Sequence, residues 1–344
     1  MDKITVGIIH NIPSSPGAVF SKSSEDIMVQ VEAIDDALKR LGHETRRIPF
    51  TRNLASVITA LQKDHIDVVF NMCETVDENP AYAAHPAAVL ELLDIPFSGS
   101  PSTSLMTTTD KVMTKRLLRG RGIKTPNYLI YNGSDYLNTA YLQFPVIVKP
   151  RYEDASIGIE QESVFENEKV LKAGLKGSYE QFGPLLVEEY IDGREFNVSI
   201  FGYPDPQVMP IAEIDFSRFP ENFYPIVGYK AKWDEKSFEY HNTPRIFSPN
   251  MSQSLLWEIE RVALDCFSFF MLRDYGRIDM RVNEYGKVYI LEINANPCLS
   301  PDAGFPSALE HAGISFGAMV QSFIEFMIQR SSYADQTLYS TGQK

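Results

Sequence analysis

Two carboxylates, an amide and a guanidinium cluster near the C-terminal end of this 344-residue chain, in GRIDMRVNEYGKVYILEINANP. Arg277 and Asp279 stand two apart in one run with strand-like alternation, residues 277–283. Glu292 and Asn294 stand two apart at the end of a second, residues 287–293, with Gly286 marking a tight turn between them. If that turn is centred between Tyr285 and Gly286, Asp279 lies directly opposite Glu292, and side chains two apart on a strand share a face. Asp279, Glu292 and Asn294 then converge, with Arg277 beside them. Hard oxygen donors of this kind suit Mg²⁺, which keeps waters and takes its remaining ligands from substrate phosphates. The spacing predicts a nucleotide-metal site. A surface hairpin with merely solvated charges is the alternative. The apolar run VYIL ahead of Glu292, and the abrupt stop at Asn294-Ala295-Asn296-Pro297, argue against it. A one-residue slip in register would carry Asp279 to the opposite face from Glu292.

A second group of residues reads as the nucleotide side. Phe144-Pro145-Val146-Ile147-Val148-Lys149 is an apolar run ending in a lone lysine. A lysine at the end of a buried strand needs an anion, which a phosphate could supply, although the same residue could simply snorkel to solvent. The loop that follows, Asp154-Ala155-Ser156-Ile157-Gly158-Ile159, could turn backbone N–H groups at Ser156 and Gly158 toward phosphates. Asp154 would be an awkward neighbour for them. In LVEEYIDGRE, residues 186–195, backbone groups around Glu189, Tyr190 and Ile191 could meet an adenine edge, and Glu195 could accept from ribose hydroxyls. Alone, that stretch reads equally as an ordinary strand-turn-strand.

The elements that must hold these groups alternate along the chain. A buried-type strand (4–9) leads into a Pro/Ser/Gly loop (11–17) and a helix (24–41) stopped by Gly42. A strand (44–48), a helix (54–62) and a strand (67–71) follow. This βαβ order implies a small doubly wound parallel sheet over residues 1–100, whose ligands bind beyond the carboxyl ends of the strands. The loop after Asn71, with Glu74, Asp77 and Glu78, is therefore a place for substrate. A second unit (101–187) opens with a helix (110–119) and carries strands at 128–131, 146–149 and 185–190. A third (188–330) mixes antiparallel strands with a helix (254–270) and bears the metal site, and a polar tail (331–344) is expected to fray. The fold class is α/β, passing to α+β in the C-terminal part.

Six motifs in this order closely resemble the ATP-grasp superfamily, and within it the D-alanine–D-alanine ligase type, over residues 4–329. They are DKVMTK (110–115), VKP (148–150), EEYIDGREF (188–196), YKAKW (229–233), GRIDM (276–280) and EINANP (292–297). The resemblance implies an ATP-grasp fold of three subdomains and an ATP- and Mg²⁺-dependent ligase, with two Mg²⁺ ions for which Mn²⁺ can substitute. Its partners would be a small-molecule carboxylic acid and an amine, joined through an acyl phosphate, with ADP and phosphate released. It also allows a homodimer. Lys111 and Lys149 would bind phosphates, with Ser156 and Gly158 in the phosphate loop. Glu188, Glu189, Tyr190, Ile191, Glu195 and Leu291 would surround the adenosine, and Lys232 would reach the γ-phosphate from a mobile loop. Arg277 would stabilise the transferred phosphate and the tetrahedral intermediate, while Asp279, Glu292 and Asn294 hold the metals. Glu74, Trp233, Cys298 and Ser300 would lie nearest the amino-acid substrates.

Three departures from the family pattern bear on the substrate. Cys298 stands where the family has a glycine after its NxxP turn, Ala303 where a serine holds the second amino acid's carboxylate, and Ala155 where a serine orients the first. The glycine-rich signature with its acid after the first strand is replaced by Asn11-Ile12-Pro13-Ser14-Ser15. The expectation is a ligase that does not make D-alanyl-D-alanine. An ATP-binding sensor without chemistry, or a small-molecule kinase, is the alternative. A Cys298 thioester is discounted because no histidine lies nearby in sequence to activate it.

The bulk composition narrows the remaining classes. Lys+Arg 32 against Asp+Glu 45 gives a formal charge of −13 with no basic stretch, which speaks against nucleic acid. No apolar run spans a membrane, and the N-terminus lacks the features of a signal peptide. The three cysteines are too few and too scattered for a disulfide framework or a zinc site, so a cytoplasmic setting is expected. The six histidines show no metal spacing.

Overall fold

The computed structural model describes residues 3–15, 20–63, 65–134 and 136–341, with side chains described as far as residue 331. Strand β1 (Thr5–His10), helix α1 (Ser21–Arg40), β2 (Glu44–Pro49), α2 (Leu54–Lys63) and β3 (Val68–Asn71) build a parallel sheet in the order β2-β1-β3. Five of the six β1 residues are buried, as a central strand covered on both faces requires. Val6 and Ile8 pack on α1 through Ile27, Val31, Ile34 and Leu38, which recur at helical spacing. Ile9 and Ile48 face the other way, toward Val57 and Leu61 of α2 and toward Ala87 and Leu90 of α3 (His85–Leu92). Part of the expected loop 11–17 falls on residues 16–17, which lie outside the described residues.

Helices α4 (Ser102–Thr109) and α5 (Lys111–Arg121) lead into a four-stranded antiparallel sheet. It comprises β4 (Tyr128–Tyr131), β5 (Val146–Pro150), β6 (Val164–Phe165) and β7 (Leu185–Glu189), with α6 (Glu168–Phe182) packed against it through Leu171 and Leu175. Asp110 caps α5, accepting from the N–H groups of Val112 and Met113 at 3.0 and 3.3 Å, and also receives both ends of the Arg151 fork at 2.8 and 2.6 Å. Helix α5 ends at Gly122, whose φ of 80° suits a residue without a Cβ. The sequence boundary at 187/188 falls inside β7, so Glu188 and Glu189 belong to the central sheet.

The third sheet has the order β11-β10-β8-β12-β13, with β9 paired to β8. Its strands are β8 (Arg194–Gly202), β9 (Gln207–Val208), β10 (Ala212–Ile214), β11 (Arg245–Phe247), β12 (Asp274–Val282) and β13 (Val288–Asn294). Short helices α7 (Tyr229–Trp233) and α8 (Phe238–His241) lie in the connection from β10 to β11, and α9 (Gln253–Phe269) covers one face. Ile278, Met280 and Val282 of β12 pack with Ile259, Ala263 and Phe267 of α9. The alternate residues Arg277, Asp279 and Arg281 therefore face away, into a cleft. Helices α10 (Gly304–His311) and α11 (Phe316–Thr341) return to the first domain, where Met319, Val320, Phe323 and Ile324 join the core of α1. Helix α11 continues to Thr341, past the point near Ser331 where polarity suggested fraying. Residues 342–344 of the expected tail lie outside the described residues.

Hydrogen bonds around a buried ion pair tie the first and third domains. Asp274 meets the Arg330 guanidinium and accepts from Gly99 N–H at 2.8 Å, while Arg273 donates to Gly99 O at 2.7 Å. Gly193, in the turn between β7 and β8, has φ 136°, and a Cβ there would run into the Val282 carbonyl oxygen and sit 2.9 Å from Asn283 Cα. Gly193→Ala should therefore destabilise the protein by at least about 2 kcal/mol. Gly177, inside α6 with nothing within 4 Å of an added methyl, should accept alanine with a gain of about 0.5–1 kcal/mol. Chemical denaturation of the two variants measures both; opposite signs are expected.

Candidate active site

The hairpin that carries the acids turns through three residues rather than two. Asn283 N–H bonds Lys287 O at 3.1 Å and Gly286 N–H bonds Asn283 O at 2.9 Å, with Gly286 at φ 71°. Near the turn this offsets the ladder, so Val282 pairs with Val288 and Met280 with Ile290. A β-bulge at Leu291 then shifts it back. Asp279 faces Glu292 and Arg277 faces Asn294, the pairing drawn from the sequence, reached by two departures that offset each other. The bulge also turns Leu291 and Glu292, adjacent in sequence, both toward the cleft. Its backbone is held from outside the hairpin. Ile290 N–H donates to Lys124 O at 2.9 Å, Thr125 Oγ1 to Ile290 O at 2.8 Å, and Lys115 Nζ to Leu291 O at 3.4 Å.

The cleft between the three sheets has a volume of about 940 Å³. Arg277 grips Asp279 through two bonds of 2.7 and 2.8 Å, and Asn197 Nδ2 adds a third at 2.9 Å. Lys111 pairs with Glu292 at 3.0 Å. Burial opposes ionisation of Glu292, but Lys111, a hydrogen bond from Asp154 and the charge of Lys149 hold its carboxyl well below the usual range. Two carboxylates and an amide on one patch are hard donors that fit Mg²⁺. Among the described residues no three Asp, Glu, His or Cys side chains gather as a cage, so such an ion would complete its shell with water and phosphate.

Lys111, Lys115 and Lys149 have carboxylate partners within the protein. Lys149 reaches Glu188 at 2.6 Å, and Lys115 reaches the other oxygen of the same carboxylate at 2.6 Å, so the anion that balances Lys149 is Glu188. Both Glu188 and Lys115 are 1% exposed at the side chain. Lys111 is turned behind the acids, bonded to Glu292, to Asp154 at 3.2 Å and to the Glu153 carbonyl. Asp154, the awkward neighbour of the phosphate loop, shares Lys111 with Glu292, and burial together with the Glu292 charge pushes its carboxyl up to about 6. Lys115 was legible as the second lysine of DKVMTK, but nothing in its spacing announced a buried partner 73 residues on.

Ala155 and Ser156 take φ of 54° and 61°, forming a tight loop that lines the cleft. Ser156 Oγ donates to Val227 O at 2.8 Å, so its hydroxyl is turned to the segment before α7. Gly158 stands behind the loop instead. At φ 72°, a Cβ would lie 2.8 Å from Pro150 Cγ and 2.9 Å from Phe182 Cζ. Close packing explains this glycine. Trp233 Nε1 donates to Ala155 O at 2.8 Å, Tyr229 N–H to Ile159 O at 2.8 Å, and Lys22 to Trp233 O at 2.9 Å. Trp233 thus anchors α7 over the phosphate loop. Lys232, on α7, projects into the cleft, and its ammonium has no ion-pair or hydrogen-bond partner among the described residues. The cleft walls and the Arg277 guanidinium lower its pKa.

At the end of the cleft expected to take adenosine, Glu189 turns its carboxylate to Asn127 Nδ2 at 3.0 Å and to Gln143 N–H at 2.9 Å. Tyr190 N–H is committed to Pro145 O at 3.0 Å. Glu195 is met by Arg281, a residue the sequence reading leaves without a role although it follows Arg277 and Asp279 at strand period on the same face.

At the end expected to take the amino-acid substrates, Glu74 lines the cleft, and burial, with Asp26 and Asp154 nearby, pushes its carboxyl up to about 7. Gln30 Nε2 bridges Glu74 at 3.1 Å and Asp26 at 3.0 Å. Ser300 Oγ donates to Asp26 at 2.8 Å and Cys298 Sγ donates to it at 3.1 Å. Asp26 and Gln30, four apart on α1, share a helix face, and that spacing was the missed signal. Asp77 is drawn away to Arg52 at 2.7 Å, while Glu78 stays at the rim.

A parallel N-terminal sheet followed by two antiparallel sheets around a shared cleft is the ATP-grasp architecture. A family model described as "D-ala D-ala ligase C-terminus" matches residues 117–325, and the chain belongs to that family. The D-alanine–D-alanine ligase of Carboxydothermus hydrogenoformans is 34% identical over 307 residues, covering 85% of this chain and 90% of that protein. An uncharacterised protein, y4sG, of Sinorhizobium fredii is 29% identical over 306 residues, covering 87% of each. The structure of the D-alanine–D-alanine ligase from Bacillus anthracis complexed with ATP superposes with a TM-score of 0.75 at 22% identity, covering 96% of this chain and 99% of that one. No helix among the described residues is long and apolar enough to cross a membrane.

Burial raises the pKa of all three thiols, that of Cys266 to about 12, with Asp26 and Glu74 adding to the effect at Cys298. At pH 8 each therefore remains a thiol in the folded state. Iodoacetamide at that pH should leave Cys73, Cys266 and Cys298 unmodified in the native protein and alkylate all three after denaturation, as read by intact mass. Rapid native alkylation of Cys298 would reinstate it as a nucleophile.

Proposed function

We propose that this protein is an ATP- and Mg²⁺-dependent ligase that joins a small carboxylic acid to an amine, and that its product is not D-alanyl-D-alanine. The observation that carries the reading is the convergence of Arg277, Asp279, Glu292, Asn294 and Lys232 on one cleft. A nucleotide-binding module without chemistry has no use for a guanidinium fixed beside the metal-type acids. The ATP complex of the Bacillus anthracis relative supports the nucleotide part of the reading.

A carboxylate is a poor electrophile, and phosphorylation by ATP turns it into an acyl phosphate that an amine can attack. Bound metal would offset phosphate charge at Asp279, Glu292 and Asn294. Arg277, its direction set by Asp279, presents its guanidinium to the charge that develops on the acyl oxygen and the departing phosphate. Lys232, without a partner among the described residues, is the cation available to the terminal phosphate, and α7 with Trp233 excludes water that would hydrolyse the acyl phosphate. Glu74, with its raised pKa, and Asp26 line the end where an amino-acid-like substrate would place its ammonium. Cys298, Ala303 and Ala155, standing in place of the family's glycine and two serines, set the substrate apart from a pair of D-alanines.

The test is phosphate release over a panel of paired acids and amines. Release only when both partners are present, with an amide found by mass spectrometry, is the expected outcome; turnover with D-alanine alone, or a stable phosphate ester, would refute it. Arg277→Ala should abolish ligation while leaving ATP affinity within about threefold, whereas Lys149→Ala, which removes a cation from the cleft wall and leaves the buried Glu188 with Lys115 alone, should weaken ATP binding about tenfold or more. Asp279→Asn should raise the Mg²⁺ concentration needed for half-maximal rate. Equal loss of nucleotide affinity in the first two variants would contradict this division of labour.

A further inference from the structure

Arg281 is 2% exposed, yet it lines the cleft wall at the adenosine end. Burying a guanidinium there is costly unless its donors are used. Directly across the β8–β12 ladder stands Glu195, and both Nε and Nη2 of Arg281 donate to the same oxygen, Oε2, at 3.0 and 2.8 Å. The other oxygen, Oε1, receives nothing from Arg281. Nη1 donates to Ile191 O at 2.7 Å, and Nη2 also meets the carbonyl of Pro225. The guanidinium carbon lies 4.8 Å from the centre of the Tyr190 ring. One side chain thus holds the ribose-side acid, the adenine-side strand end, and the start of the segment that runs seven residues on to Lys232.

We infer that Arg281 is a positioning residue that links recognition of the ribose to closure of the α7 lid. By occupying Oε2 it fixes the Glu195 carboxylate and leaves Oε1 as the acceptor for ribose hydroxyls. A ribose bonded there holds Glu195 in place, and Glu195 holds Arg281 against Pro225. The lid is also latched at its far side by Ser156 to Val227 O and by Trp233 to Ala155 O. The Arg281 contact is the one among these that reaches the sugar end of the nucleotide, so a nucleotide without ribose hydroxyls should bind yet close the lid less completely. The inference rests on the reading that this cleft holds ATP.

Two measurements test it without relying on ligation. In wild-type protein with Mg²⁺ and saturating nucleotide, trypsin should cut after the exposed Lys230 several-fold more slowly with ATP than with 2′,3′-dideoxy-ATP. By calorimetry, wild type should bind ATP about tenfold more tightly than the dideoxy nucleotide, the size expected for hydrogen bonds to a carboxylate. Arg281→Met should compress that ratio to about twofold and abolish ATP protection of Lys230. Arg281→Lys, which reaches Glu195 but cannot fork to Pro225, should recover the ribose preference and not the protection. A wild-type lid equally protected by both nucleotides would overturn the linkage even if the methionine variant fails to fold. A methionine variant that keeps the wild-type ratio would overturn it as well. Absence of any ATP binding would overturn both this inference and the ligase reading, whereas binding with no ribose preference sinks only the former.

Discussion

Charge compensation among side chains buried in and around the cleft governs how this protein is put together. Glu292 and Asp279 lie on neighbouring strands, but their cations come from different places: Lys111 opens α5 near the start of the second domain, and Arg277 shares the strand with Asp279. Glu188 sits on the central sheet and takes one lysine from α5 and one from β5. Glu195 on β8 takes Arg281 from β12. An ionised group in such surroundings is tolerable only when matched, so each pair also fixes the distance between the elements that carry it. The same forces that hold the sheets around the cleft set the electrostatic field that a triphosphate would meet there.

Much of this arrangement was readable beforehand. The parallel sheet followed from short apolar strands alternating with helical spacing, and the metal-type patch from residues two apart on either side of Gly286. The pairing of Asp279 with Glu292 came out right for an incomplete reason: a three-residue turn displaces the ladder, and the Leu291 bulge restores it. Neither event leaves a mark in hydrophobic alternation, because the bulged residue is itself apolar.

What the sequence concealed is mostly long-range. That Lys149 would be balanced by Glu188, and that Lys115 would join them in the interior, depends on β5 and β7 lying side by side, which local pattern does not give. Gly158 reads as a phosphate-loop glycine, and a Cβ there would also run into Pro150 and Phe182, a packing demand that local pattern does not announce. Asp26 escaped notice because α1 reads as an ordinary amphipathic helix, and only the folded chain brings its acid to Ser300 and Cys298. Arg281 went unassigned because a third charged residue on one strand face looks like repetition until its partners are known.

The bulge at Leu291 has a consequence for how such a chain can vary. Because Lys124, Thr125 and Lys115 clasp the strand from outside the hairpin, the phase of Glu292 and Asn294 is anchored independently of the β-turn at Gly286. The exposed tip around Tyr285 is therefore uncoupled from the chemistry, and homologues are free to lengthen or shorten it by a residue. A deletion at Leu291 itself would cost that clasp, since it removes the bulge and the carbonyl that Lys115 holds, although Glu292 would still face Asp279 across a now regular ladder.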